Sequence, residues 1–117
     1  MSLFSYGTPL SAYMRLSNNT IQTVFTAERK TVITHWICAN RSGGAVTLTL
    51  EKTNGTTQIY YRFATSIAAN SYDADTREIV LDPGWSLKAT SGNASGNLDI
   101  DVTYLQPTPQ GGSGGPA

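Results

Sequence analysis

From residue 20 onward, apolar and polar positions alternate in short runs separated by turn residues, the period of a half-buried β-strand. The run from Thr31 to Asn40 organises the chain. It is rich in β-branched and aromatic residues and closes on Asn40-Arg41-Ser42-Gly43-Gly44, a turn signal. Alternation puts Val32, Thr34, Trp36 and Cys38 on one side, and Ile33, His35, Ile37 and Ala39 on the other. Neither set is strongly polar, so this strand is expected at the centre of the fold, with a second sheet over one face and a neighbouring subunit over the other. Ala45 to Glu51 sends Val46, Leu48 and Leu50 inward, and an antiparallel hairpin with the central strand is expected across the glycine turn. Asn54-Gly55 is the strongest hairpin signal. It joins that strand to Thr57–Thr65, where Ile59, Tyr61 and Phe63 oppose Tyr60 and Arg62.

The remaining runs follow the same rule. Thr20 to Thr26 reads as a first strand, and Ala27-Glu28-Arg29-Lys30 as a charged turn. Ser66 to Tyr72 reads as a short strand or crossover, and Arg77 to Leu81 as a strand ending at Asp82-Pro83-Gly84, where Pro and Gly favour a type II turn. Trp85 to Thr90 follows with Trp85, Leu87 and Ala89 on one face. Leu98 to Leu105 has the cleanest pattern, with Leu98, Ile100, Val102 and Tyr104 inward and Asp99, Asp101 and Thr103 outward. No helical period is sustained. The expected fold is an all-β antiparallel β-sandwich of about seven or eight strands over residues 20–105, jelly-roll-like, with an immunoglobulin-like topology left open. Residues 1–19 lack a period and read as an irregular N-terminal arm, whose Phe4, Tyr6 and Tyr13 are candidate anchors for a partner. Residues 106–117, rich in Pro, Gly and Ser, read as a disordered tail.

Composition narrows the function classes. At 117 residues the chain suits one domain with a modest core. Only 14% of residues are charged, the balance is +0, and no basic cluster occurs, which argues against nucleic-acid binding. No polybasic or long apolar stretch points to a membrane. Cys38 is the single cysteine and Met1–Phe4 does not resemble a signal peptide, so synthesis in a reducing cytoplasm is expected. Asn-x-Ser/Thr triplets at Asn18, Asn40, Asn54 and Asn93 read as turn composition.

Catalytic chemistry finds no constellation. His35 and Cys38 point to opposite faces, which disfavours both a zinc site and a Cys–His nucleophile. Asp99 and Asp101 share a face but offer too few oxygens for calcium, and Asp73 and Asp75 fall in an expected solvated loop. No enzyme, cofactor or metal is expected. Among the aromatics, Trp85 after Pro83-Gly84 is the best candidate for an exposed contact, with Tyr60-Tyr61 next.

Several stretches together resemble small virion structural proteins of tailed bacteriophages. They are Arg15-Leu16-Ser17-Asn18-Asn19-Thr20 with Val24-Phe25-Thr26-Ala27, Lys30 to Thr34, Cys38 to Leu48 with its Asn-x-Ser-Gly turn, Ile79 to Leu87 with Ala89 and Ser91-Gly92, and the closing Leu98–Leu105 strand. The chain looks like a β-sandwich head decoration (cement) protein. That resemblance implies a non-enzymatic protein on the capsid exterior that stabilises the shell by bridging coat subunits. Its partners would be the major capsid protein and itself, as a homotrimer. Phe4, Tyr6, Tyr13 and Trp85 are the candidate contacts. A carbohydrate- or receptor-binding module of a tail fibre, using Trp85 and Tyr60-Tyr61, is the competing expectation.

Overall fold

A single antiparallel ribbon, rolled over on itself, makes the domain. The computed structural model describes residues 4–5 and 8–109, with side chains over residues 8–107. The strands are β1 (Phe4–Ser5), β2 (Leu10–Leu16), β3 (Gln22–Thr26), β4 (Thr31–Asn40), β5 (Val46–Thr53), β6 (Gln58–Ile67), β7 (Tyr72–Asp75), β8 (Ile79–Leu81), β9 (Ser86–Ser91), β10 (Leu98–Leu105) and β11 (Thr108–Pro109). Pairing is nested: β5 with β6 at the Asn54-Gly55 tip, then β4 with β7 and β8, β3 with β9, β2 with β10, and β1 with β11. Rolling adds β4–β10 and β5–β9, giving a 5-stranded sheet (β2-β10-β4-β7, with β8 also on β4) facing a 4-stranded sheet (β3-β9-β5-β6). This is jelly-roll topology, and it resolves the alternative left open by the sequence.

The corners explain the rolling. Both strands of the ribbon change sheet together at Asn40–Gly44 and Ala68–Ser71. The Asn40 side chain, 2% exposed, lies between those two corners. Its Nδ2 donates to the carbonyls of Gly44 (2.8 Å), Ile67 (3.0 Å) and Ala68 (3.2 Å), and its Oδ1 accepts from the Ser42 amide and hydroxyl. At the next fold of the ribbon, the Ala27 amide donates to Trp85 O and the Gly84 amide to Ala27 O. All four triplet asparagines, Asn18, Asn40, Asn54 and Asn93, accept the amide of the residue two positions on, which is the Asx turn expected of that composition.

Five expectations are corrected. Residues 10–16 are not irregular. β2 pairs with β10 along its length and turns Ala12, Met14 and Leu16 toward the core. β4 and β5 do not form a hairpin, because the Asn40 corner carries the chain into the opposite sheet. The face alternation of β4 breaks at a bulge, where Thr103 pairs with His35 but Tyr104 with Ile33, leaving Thr34 over. Trp36, Cys38 and Asn40 therefore face the core on one side of the bulge, and Thr31 and Ile33 on the other. Asp73 and Asp75 lie in strand β7, not in a loop. Of the expected tail, Thr108–Pro109 pair with β1; residues 110–117 fall outside the described residues.

β6 is an edge strand and is doubly bulged, with register shifts on both sides of Leu50. Ala64, at the bulge between Leu48 and Leu50, has φ +47°, a left-handed backbone that costs an alanine about 1–2 kcal/mol. Ala64→Gly is therefore expected to stabilise the domain by about 0.5–1 kcal/mol, read as a higher urea midpoint at unchanged slope.

Candidate interaction surface

The outer face of the larger sheet carries apolar residues that no described element covers. Two cross-strand rows define it: Tyr13, Asp101, Ile37 and Ala74, then Arg15, Asp99, Ala39 and Tyr72. Beyond the bulge, β4 sends its apolar pair Ile37 and Ala39 outward, where they are half-buried. Tyr13 on β2 and Tyr72 on β7 stand at opposite sides of this floor, 82% and 65% exposed. Tyr13, Arg15, Ile37, Ala39, Asp99 and Asp101 line an open groove of about 470 Å³. Of its carboxylates, Asp99 is paired internally. Asp99 accepts a two-pronged contact from Arg15 (2.9 and 3.1 Å) and another from Arg41 (3.1 Å). Burial alone would raise the Asp99 carboxyl, but these guanidinium hydrogen bonds outweigh it and hold it below the ordinary carboxylate value.

Of the four residues expected to meet a partner, Tyr13 sits on this face. Trp85 does not. It is half-buried against the core, with the Lys52 ammonium 5.2 Å from its ring centre, so the exposure expected after Pro83-Gly84 is corrected. Lys52 reaches it by crossing between the sheets to donate to Val80 O at 2.8 Å. The side chain of Phe4, which lies in β1, and the whole of Tyr6 fall outside the described residues. Tyr72 and the Ile37–Ala39 floor belong to the surface although sequence reasoning did not single them out. The outward apolar pair on β4 was their visible signal.

A second concavity lies where the sheets part, between β6 and the β7–β8 edge. Trp36, Tyr60, Tyr61, Arg62, Asp75 and Arg77 are among its lining residues, around about 270 Å³. Arg62 crosses from one sheet to the other here. Its guanidinium contacts Asp73 at 2.7 Å and Asp75 at 3.6 Å and lies 5.0 Å from the Trp36 ring centre. Arg77 completes the network on Asp75 at 2.9 Å.

His35 and Cys38 face opposite ways, as alternation requires. Burial, with smaller contributions from Asp73 and Asp99, pushes the Cys38 thiol up to about 12, so it carries no nucleophilic thiolate near neutrality. Among the described residues no cluster of His, Cys, Asp and Glu is arranged to hold a metal ion.

No protein-family model matches the chain, and no curated protein matches it either. Solved structures similar to it include a pentameric capsid protein isolated from metagenomic phage sequences, at 14% identity and TM-score 0.48, over 84% of this chain and 61% of that one. A second structure of such a capsid protein gives 14%, 0.48, 84% and 60%. The Podospora anserina GH26-CBM35 β-(1,4)-mannanase is similar at 14% identity and TM-score 0.43, over 86% of this chain and 28% of that one. The chain thus spans about three fifths of the length of the capsid proteins it resembles.

Proposed function

We propose that this chain is a non-enzymatic virion structural protein of a tailed phage. It associates with itself, as a trimer, and holds the outer surface of the capsid by bridging coat subunits. The observation that carries this reading is the uncovered apolar floor of Ile37 and Ala39, flanked by Tyr13 at 82% exposure. A β-domain with a polar, sparsely charged surface has no reason of stability to display such a face, and exposed aromatics beside an apolar floor are the usual make-up of a docking patch. Because Arg15 and Arg41 already neutralise Asp99, the partner need bring no charge, and docking there is driven by apolar burial. Seating Tyr13 in a coat-subunit pocket contributes about 2–3 kcal/mol.

Light scattering on the purified chain is expected to give three times the 12.5 kDa protomer mass. Co-sedimentation with emptied capsids is expected to show binding that Tyr13→Ser weakens by about tenfold or more while leaving the thermal midpoint unchanged. A monomer that leaves capsids alone overturns the proposal.

A further inference from the structure

We propose that the cleft between β6 and the β7–β8 edge is a saccharide-binding site, built by Tyr60, Tyr61, Asp75, Arg77 and Glu78. It is independent of the capsid reading and uses the opposite edge of the larger sheet from Tyr13. The cleft exists because two irregularities meet at one level. β6 bulges around Tyr61 and again at Ala64, and on the facing edge the chain leaves the sheet between Asp75 and Ile79. Between them they hold the sandwich edge open above Trp36 and Ile79, which form an apolar base. The second of these bulges carries the left-handed Ala64, two residues along β6 from the cleft-lining Arg62.

The lining selects the ligand chemistry. A sugar presents an apolar C–H face, and a rim of hydroxyls that each donate and accept. Tyrosine rings suit the face, and planar carboxylate and guanidinium groups suit neighbouring hydroxyls in pairs. Here Tyr60, 48% exposed, and half-buried Tyr61 lie beside two arginines and two carboxylates, so the charged lining sums to zero. A phosphate or an amine gains nothing from that balance; a neutral polyol loses nothing. The polar groups are also held in place. Asp75 is fixed by Arg77 through its Nε (3.1 Å) and Nη2 (2.9 Å) and by the Arg77 amide (2.9 Å). Glu78 is exposed and outside this ion-pair network, so its carboxylate is available to accept from a hydroxyl. The volume of about 270 Å³ lies just under the ~300–1,000 Å³ of drug-sized sites, the room for one sugar ring. Closing the sandwich edge needs Arg62, Asp73 and Asp75, but it needs neither Glu78 nor an exposed Tyr60.

The test is a two-dimensional NMR titration of the isotope-labelled full chain with glucose, galactose, mannose and N-acetylglucosamine in turn, each to tens of millimolar, since single-ring affinities are of millimolar order. The expected result is a saturable shift, with at least one of the four, of the Trp36 indole N–H and the Tyr61, Arg77 and Glu78 amides. Glu78→Ala and Tyr60→Ala are each expected to weaken that binding at least tenfold, with the native fold and capsid binding retained. No saturable shift with any of the four sugars overturns the proposal. So do shifts that survive both substitutions, or shifts centred on Tyr13 and Ile37 instead of the cleft.

Discussion

Replacing Asn40 by alanine is expected to destabilise the domain by about 3 kcal/mol, seen in urea unfolding as a lower midpoint at unchanged slope. The size follows from what the amide holds. It is 2% exposed and donates to three carbonyls from two chain corners, those of Gly44, Ile67 and Ala68. The same side chain accepts from the Ser42 amide at 2.9 Å and hydroxyl at 2.8 Å. Truncation leaves the buried Ile67 carbonyl without its partner and severs the link between the two corners, and each lost or orphaned polar contact costs of order 1 kcal/mol. Asn40→Asp separates the two halves of the network. It keeps the shape and the acceptor toward Ser42, but at neutral pH it turns a negative charge on three carbonyl oxygens. It is expected to be at least as destabilising as alanine at pH 7 and to recover partly in acid, where a protonated carboxyl can donate once. An aspartate tolerated at pH 7 would mean that the carbonyl contacts do not hold the ribbon in its rolled form.

The Asn40 corner also marks the boundary of what local pattern can reveal. The limits of β4 and β10, Thr31–Asn40 and Leu98–Leu105, are visible in the sequence because both strands alternate strongly between turn residues. The Asn54-Gly55 hairpin was equally visible, its turn closed by Asn54 accepting from Thr56 and Thr57. Pairing partners were not visible in the same way. Gly43-Gly44 has the look of a hairpin turn, and what overrides it is a contact from Asn40 to residues 27 and 28 positions away. β2 had a usable period in Ala12, Met14 and Leu16, but Tyr13, 82% exposed, interrupts it as an apolar residue on the solvent side. β7 inverts the usual rule: Asp73 and Asp75 pair across the ladder with Cys38 and Trp36, on the core-facing side, because Arg62 arrives there from the other sheet. The surface behaved similarly. The shared face of Ile37 and Ala39 was visible from alternation, whereas Tyr13 was named only as an aromatic of an arm without a period. Trp85 packs against the core with Lys52, which crosses between sheets, lying over its ring, and no local pattern encodes that.

Arg62→Met is expected to cost about 2 kcal/mol at pH 7, with most of the loss appearing as faster opening of the β6–β7 edge in hydrogen exchange. Methionine keeps an unbranched apolar stem but removes the guanidinium, and with it both the contacts to Asp73 and Asp75 and the stacking on the Trp36 ring. The Arg62 and Asp73 side chains are 20% and 23% exposed, which places the pair between a surface bridge of little worth and a buried one whose rupture costs several kcal/mol. Its pH dependence has a definite sign. Hydrogen bonds from the Arg77 side chain and backbone, opposed by desolvation and helped by the charges of Arg77 and Arg62, hold the Asp75 carboxyl well below its ordinary value of 3.8. A carboxylate depressed on folding contributes stability that is fully present above the unfolded value and is lost as pH falls through the folded one. The native domain is therefore expected to weaken steadily below about pH 4. A native stability that does not change from neutral pH down to about pH 2 would show that the ionised Asp75 contributes nothing to holding this edge, and that the two sheets are closed there by apolar contact alone.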